Sequence, residues 1–131
     1  MRGKIQYRDR ARQLRDFSGL RFGNITPSDS DGEIEYHNKA WIFIEAKLKG
    51  VELPIGQRIS LERKCDDMQK VKPTVLLIVS HETPVDQDID MANAIVTEVR
   101  FKGIVKHPAA PVTTREYIDR FIRYVESGIE T

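Results

Sequence analysis

The sequence predicts a mixed α/β domain, a small β-sheet flanked by helices, and three observations carry that reading. Thr74-Val75-Leu76-Leu77-Ile78-Val79 is almost wholly apolar, the composition of a strand covered on both faces and therefore central in its sheet. Glu33-Ile34-Glu35-Tyr36 and Trp41-Ile42-Phe43-Ile44 are β-prone runs joined by His37-Asn38-Lys39-Ala40, a spacing short enough for a hairpin. Thr113 stands three residues before Glu116, with Tyr117, Ile118, Phe121, Ile122 and Val125 following at helical intervals, the signature of a capped amphipathic helix.

Taken in order, residues 4–17 read as a helix with Ile5, Leu14 and Phe17 as apolar anchors and Arg8, Arg10, Arg12 and Arg15 between them, ended by Ser18-Gly19. Leu20 to Gly32, rich in Gly, Asn, Ser, Pro and Asp, reads as a loop. After the hairpin and Lys49-Gly50, the stretch Val51-Glu52-Leu53-Pro54 leads into a helix from Ile55 to about Lys70. Its expected inward residues are Ile55, Ile59, Cys65 and Met68, and Pro73 separates it from the apolar strand. The acidic, Pro-containing segment Glu82 to Met91 precedes a further strand, Ala94–Lys102, which leads through Gly103 to Ile104-Val105. The chain of 131 residues suits one domain around a single core, without linker, repeat or low-complexity segment.

Hydrophobic residues make up 40% and charged ones 31%, a soluble globular balance that excludes intrinsic disorder. No apolar run approaches the roughly 20 residues that span a bilayer, and none follows Met1-Arg2-Gly3-Lys4 to make a signal peptide, so no membrane contact and a cytoplasmic location are expected. The single cysteine, Cys65, excludes an internal disulfide and a multi-cysteine zinc site. Charge is uneven. Residues 1–22 hold seven basic residues against Asp9 and Asp16, a surplus of +5 that leaves −4 for the remainder of a chain whose total is +1. A basic arm on a near-neutral body suits phosphate contact and so nucleic acid, although a solvated arginine-rich helix face explains the same charges.

The chemistry centres on one strand. Side chains alternate, so Trp41, Phe43, Glu45 and Lys47 share a face that turns from aromatic to charged, while Ile42, Ile44, Ala46 and Leu48 keep the other apolar. The hairpin brings in a third group. A two-residue turn sets Asp31 opposite Ala46 and a three-residue turn sets it opposite Glu45; either register brings Asp31 to the Glu45 edge, since opposed residues lie about 4.5–5.5 Å apart. Asp29 is two residues further out. Two carboxylates with a main-chain carbonyl such as that of Ala46 between them offer the oxygen ligands that Mg²⁺ prefers, and Lys47 is placed to orient water or balance developing charge.

The stretch Ile25-Thr26-Pro27-Ser28-Asp29-Ser30-Asp31-Gly32, a hairpin, and Ile42-Phe43-Ile44-Glu45-Ala46-Lys47 together resemble the PD-(D/E)XK nuclease superfamily. The likeness is greatest to its small phage-type, VRR-NUC and Holliday-junction-resolvase-like members. The separation of 14 positions from Asp31 to Glu45 suits that superfamily; Pro27, which is not directly before Asp31, departs from it. The resemblance covers residues 25–63 and implies a restriction-endonuclease-like core, with Mg²⁺ or Mn²⁺ held by Asp31, Glu45 and the Ala46 carbonyl, and Lys47 assisting the attacking water. It extends to Gln57 in Gly56-Gln57-Arg58, because related nucleases carry a glutamine on the helix after the motif strand. The implied activity is a DNA endonuclease of phage or prophage recombination, repair or DNA processing, a homodimer with Arg8, Arg12, Arg15 and Arg58 contacting DNA. Two alternatives stand beside it: a non-catalytic DNA-binding or assembly module of the same fold, and a structural protein whose strand merely ends in charges.

Other signals carry less. His81 reaches the site if its strand runs beside Trp41–Lys47, yet a polar loop histidine is the expectation. Asp86, Asp88 and Asp90 alternate as a calcium loop begins, but Met91 replaces the required glycine and Thr97 the bidentate glutamate. Tyr117, Phe121 and Tyr124 are expected in the core or a dimer contact. Cys65, mid-helix and without an adjacent histidine, is no nucleophile candidate.

Overall fold

A computed structural model of the chain describes residues 16, 18–25 and 31–128. Five strands make one mixed sheet in the order β1-β2-β3-β4-β5: β1 Gly32–Tyr36, β2 Ala40–Leu48, β3 Thr74–His81, β4 Ile95–Phe101 and β5 Ile104–Lys106. Helix α1, Ile55–Gln69, connects β2 to β3, and α2, Thr114–Ser127, follows β5. Short 3-10 turns occupy Ser18–Leu20 and Met91–Asn93. The helix expected over residues 4–17 lies outside the described residues, apart from Asp16, which is not helical.

β3 is central, as its apolar composition requires: Thr74 to Val79 are all buried. It runs parallel to β2, the pairing that needs a crossover, and α1 supplies it. All other pairings are antiparallel. The β1–β2 hairpin closes through a three-residue turn, with Tyr36 opposite Ala40 and Gly32 opposite Ile44. Lys39 donates its N–H to the Tyr36 carbonyl at 2.7 Å, while His37 and Asn38 take φ of 47° and 58°. The segment after β4, left open by the sequence, is a second hairpin turning on Lys102 and Gly103, φ 53° and 74°. These values suit the tight turns that favour glycine.

The two sheet faces carry different cores. One packs Ile42, Ile44, Val75, Leu77, Val79, Val96 and Val99 against Phe121 of α2, with Tyr117 and Tyr124 half-buried beside it. Phe121 and Tyr124 both meet Phe101 edge-on, so this aromatic row is core. The capping box expected for α2 forms: the Thr113 hydroxyl accepts from the Glu116 N–H at 3.1 Å and Glu116 accepts in return from the Thr113 N–H. The other face packs Phe43, Leu76 and Ile78 against Cys65, with Leu61 and Met68 alongside.

One expectation for α1 is corrected. Ile55 and Ile59 point outward, 77% and 40% exposed, whereas Leu61, Cys65 and Met68 face the sheet. The reason is angular: at 3.6 residues per turn, 55 and 59 are turned by roughly 130° on average from the face of 61, 65 and 68. The inward positions of the first turns belong to Gln57 and Arg58 instead. Farther along, Arg100 of β4 binds Asp66 through Nε at 2.9 Å and Nη2 at 2.7 Å, and Glu62 at 3.2 Å, so ionic contacts join α1 to β4.

Candidate active site

The charged end of β2 lies where the sheet loses its outer strand. β1 begins at Gly32, and the preceding Asp31 continues the ladder with its side chain: Oδ2 accepts the Ala46 N–H at 2.7 Å. Of the two registers the sequence allows, the one with Asp31 level with Glu45 is formed. Trp41 and Lys49 donate to Pro73 and His81 on the β3 side, so the peptide groups of odd residues in β2 face β3 and those of even residues face β1. The Ala46 carbonyl therefore faces the side on which Asp31 sits.

Glu45 is 2% exposed on the α1 face, below the first turns of that helix. Gln57 reaches down to it, donating Nε2 to Glu45 Oε1 at 2.6 Å, and its own Oε1 accepts from Lys47 Nζ at 3.4 Å. Lys47 Nζ stands 3.6 Å from Glu45 Oε1. One amide thus orients both motif side chains. The second oxygen of Glu45, Oε2, is buried without a hydrogen-bond partner among the described residues. Burial raises the pKa of Glu45, the nearby Asp31 carboxylate raises it further, and Lys47 opposes both. A buried carboxylate beside a second one is favoured by a proton or by positive charge beyond that of Lys47.

The structure brings together Asp31, Glu45, Ala46, Lys47 and Gln57. Arg58 is one residue beyond Gln57 but turns toward β4, where Nη1 binds Glu98 Oε2 at 2.6 Å. His81 lies at the same sheet end, opposite Leu48, yet alternation puts it on the α2 face, and its Nδ1 accepts the Thr83 N–H at 3.1 Å. That removes it from the site, although it ends strand β3 and is not the loop residue the sequence suggested. Asp29, Arg8, Arg12 and Arg15 lie outside the described residues.

Two neighbours were missed from sequence. Ser80 is the β3 partner of Lys47, and Glu98 is level with Glu45 across Ile78. Thr97 is the extra residue of a bulge, since Ile78 pairs with Glu98 but Val79 with Val96, and its hydroxyl donates to the Ile78 carbonyl at 3.1 Å. A signal for Glu98 existed: Arg58, Glu62 and Asp66 form an i, i+4, i+8 stripe, the charge complement of Glu98 and Arg100 at strand spacing.

No protein-family model, curated protein or solved structure matches the chain. Among the described residues no three His, Cys, Asp or Glu side chains gather as a metal-holding group. What fits a divalent cation is a smaller set: the Asp31 carboxylate, the Glu45 carboxylate with its unsatisfied Oε2, and the Ala46 carbonyl on the Asp31 side. These are all hard oxygen donors, suited to Mg²⁺ or Mn²⁺ rather than to softer metals. Among the described residues no helix is long and apolar enough to cross a membrane.

Proposed function

We propose that this protein is a divalent-metal-dependent DNA endonuclease with a restriction-endonuclease-like core, of the PD-(D/E)XK type. The observation that carries the proposal is the buried Glu45 carboxylate, half unsatisfied and beside Asp31, with Lys47 and Gln57 on its other oxygen. Asp31, Glu45 and the Ala46 carbonyl would hold a Mg²⁺ or Mn²⁺ ion, which when bound would supply Lewis acidity for phosphodiester hydrolysis. Lys47, held by Glu45 and Gln57, orients the attacking water and offsets charge building on the phosphate oxygens. Gln57 keeps Glu45 and Lys47 in register and is a positioning residue. Burial under α1 limits water on that face, which strengthens each of these interactions. A homodimer with the arginine-rich arm on DNA completes the proposal.

The competing reading is a non-catalytic DNA-binding or assembly module, favoured by the absence of a third His, Cys or acidic group at the pair among the described residues. The deciding experiment incubates labelled duplex, single-stranded and four-way-junction DNA with Mg²⁺, Mn²⁺ or EDTA, for wild type, Glu45→Ala and Lys47→Ala. Metal-dependent cutting, reduced by about two to four orders of magnitude in both variants, is the expected result. Intact DNA in every lane from folded protein supports the binding module instead.

A further inference from the structure

On the α2 face, across the sheet from Glu45, the connection between β5 and α2 borders a cleft of about 340 Å³. Its apolar lining is Val99 of β4, Val112 and the run from Pro108 to Pro111. Both valines are buried, 3% and 4% exposed. The run is anchored at both ends. The Val112 carbonyl accepts the Val96 N–H at 2.9 Å, and His107 Nδ1 lies 3.1 Å from the Thr97 carbonyl. Lys106 is the ladder partner of Val99 and so shares its face, and Arg120 stands three residues after Tyr117 on α2; all three of Lys106, Tyr117 and Arg120 line the cleft.

Among the described residues no acidic side chain lines this cleft. The acids of α2 nearest to Arg120 are engaged elsewhere: Glu116 closes the capping box, and Asp119 takes Arg115 at 3.2 Å. Lys106 and Arg120 have no ion pair or hydrogen bond among the described residues. The Arg120 charge is felt inside the cleft, because burial raises the pKa of the Tyr117 phenol and Arg120 opposes that rise. Two unpaired cations without a lining carboxylate favour an anion. The apolar lining, with prolines that carry no N–H, favours a hydrocarbon body over a nucleobase, whose polar edges would lose their partners. The volume is at the small end of ligand sites. A carboxylate is matched by one guanidinium with an ammonium beside it, whereas a phosphate monoester brings nearly two charges and three acceptor oxygens to a site with few donors. We propose that the cleft binds a small carboxylate with a hydrocarbon ring, its acid group on Arg120 and Lys106 and its ring against Val99, Tyr117 and the Pro108–Pro111 run. The proposal does not depend on the nuclease reading, since Glu45 lies on the other face of the sheet.

The test follows the fluorescence anisotropy of 2-naphthoate with the full chain in metal-free buffer at neutral pH, beside its neutral amide and 2-naphthyl phosphate. Saturable binding of 2-naphthoate, about tenfold tighter than that of the amide, is expected. Arg120→Met and Lys106→Met should each weaken it about tenfold. Arg123→Met removes the same charge from an exposed α2 position that does not line the cleft, and should leave the affinity unchanged. All three side chains are exposed, so the variants should keep the wild-type thermal midpoint. Binding that does not saturate, equal affinity for acid and amide, a loss in Arg123→Met as large as in Arg120→Met, or displacement by acetate as efficient as by benzoate overturns the proposal. Tighter binding of 2-naphthyl phosphate than of 2-naphthoate overturns the assignment to a carboxylate.

Discussion

Replacing Glu45 by glutamine should make the metal-free protein more stable. The carboxylate is 2% exposed, one oxygen accepts from Gln57 at 2.6 Å, and the other has no partner among the described residues. A neutral amide of the same shape keeps the first bond as an acceptor and presents an NH₂ on the side where Asp31 now repels it. An unsatisfied buried polar group costs about 1–3 kcal/mol, and relief of about 1–2 kcal/mol is a fair expectation because Lys47 at 3.6 Å already offsets part of the charge. For 131 residues the unfolding entropy is about 0.3 kcal/mol per kelvin, so the midpoint should rise by about 4–8 °C. Calorimetry in EDTA at neutral pH reads this directly. Because the folded-state pKa of Glu45 is raised, the penalty on its ionised form is complete above that value and fades as pH falls toward the ordinary 4.5. The gap between variant and wild type should therefore shrink on acidification, and, under the proposed metal site, also on adding Mg²⁺, which would stabilise only the carboxylate form. A variant no more stable than wild type in EDTA, or a gap that widens as pH falls, would show that Glu45 carries no such penalty in the fold.

Further outcomes follow from other residues. Arg100→Leu should cost about 1–3 kcal/mol by leaving Asp66 and Glu62 without their cation, the lower part of the range applying because Asp66 is partly solvated. Arg100 holds Asp66 below its ordinary 3.8, so that stabilisation is present above 3.8 and lost as pH falls through the depressed value; in urea titrations against pH the variant should lack this acid-side loss. Thr113→Ala removes the hydroxyl of the α2 capping box and should cost about 1 kcal/mol, read as a midpoint lowered by about 4 °C. Cys65 is 1% exposed and its thiol is pushed up to about 11, chiefly by burial, so reaction with a thiol reagent at neutral pH should track unfolding; rapid labelling of native protein would contradict its placement.

The parts of the fold legible in the sequence were those where one physical cause acts alone. An uninterrupted apolar run such as Thr74–Val79 is paid for only in a strand covered on both faces, and Thr113 with Glu116 encodes a helix start locally. The Asp31–Glu45 juxtaposition was legible because a hairpin converts sequence spacing into register, although the residues between allowed two turns and only the folded chain selects one. The direction of α1 was not legible from apolar residues. Its inward face near the site is Gln57 and Arg58, answered by charges on β2 and β4, so a hydrophobic reading promoted Ile55 and Ile59 wrongly. Glu98 was hidden for the same reason: charges alternating along a strand look solvated until the helix that matches them is packed above.

Glu45 contrasts with Glu98 in how its buried charge is met. Both glutamates are buried on the α1 face, level with each other and separated by Ile78. Glu98 has a guanidinium nitrogen at 2.6 Å and leaves no buried oxygen orphaned, the arrangement that makes a buried carboxylate tolerable. Glu45 has a longer ammonium contact of 3.6 Å, an amide, an orphaned oxygen and a second carboxylate raising its proton affinity. The same sheet, helix and burial therefore yield one neutralised acid and one left electrostatically incomplete. A departure from local consistency at one position, beside a position that solves the same problem, is expected where binding rather than folding completes the charge balance. A purely structural role for Glu45 leaves unexplained why the guanidinium of Arg58, one residue from Gln57, serves Glu98 while Glu45 receives an amide and a lysine at 3.6 Å.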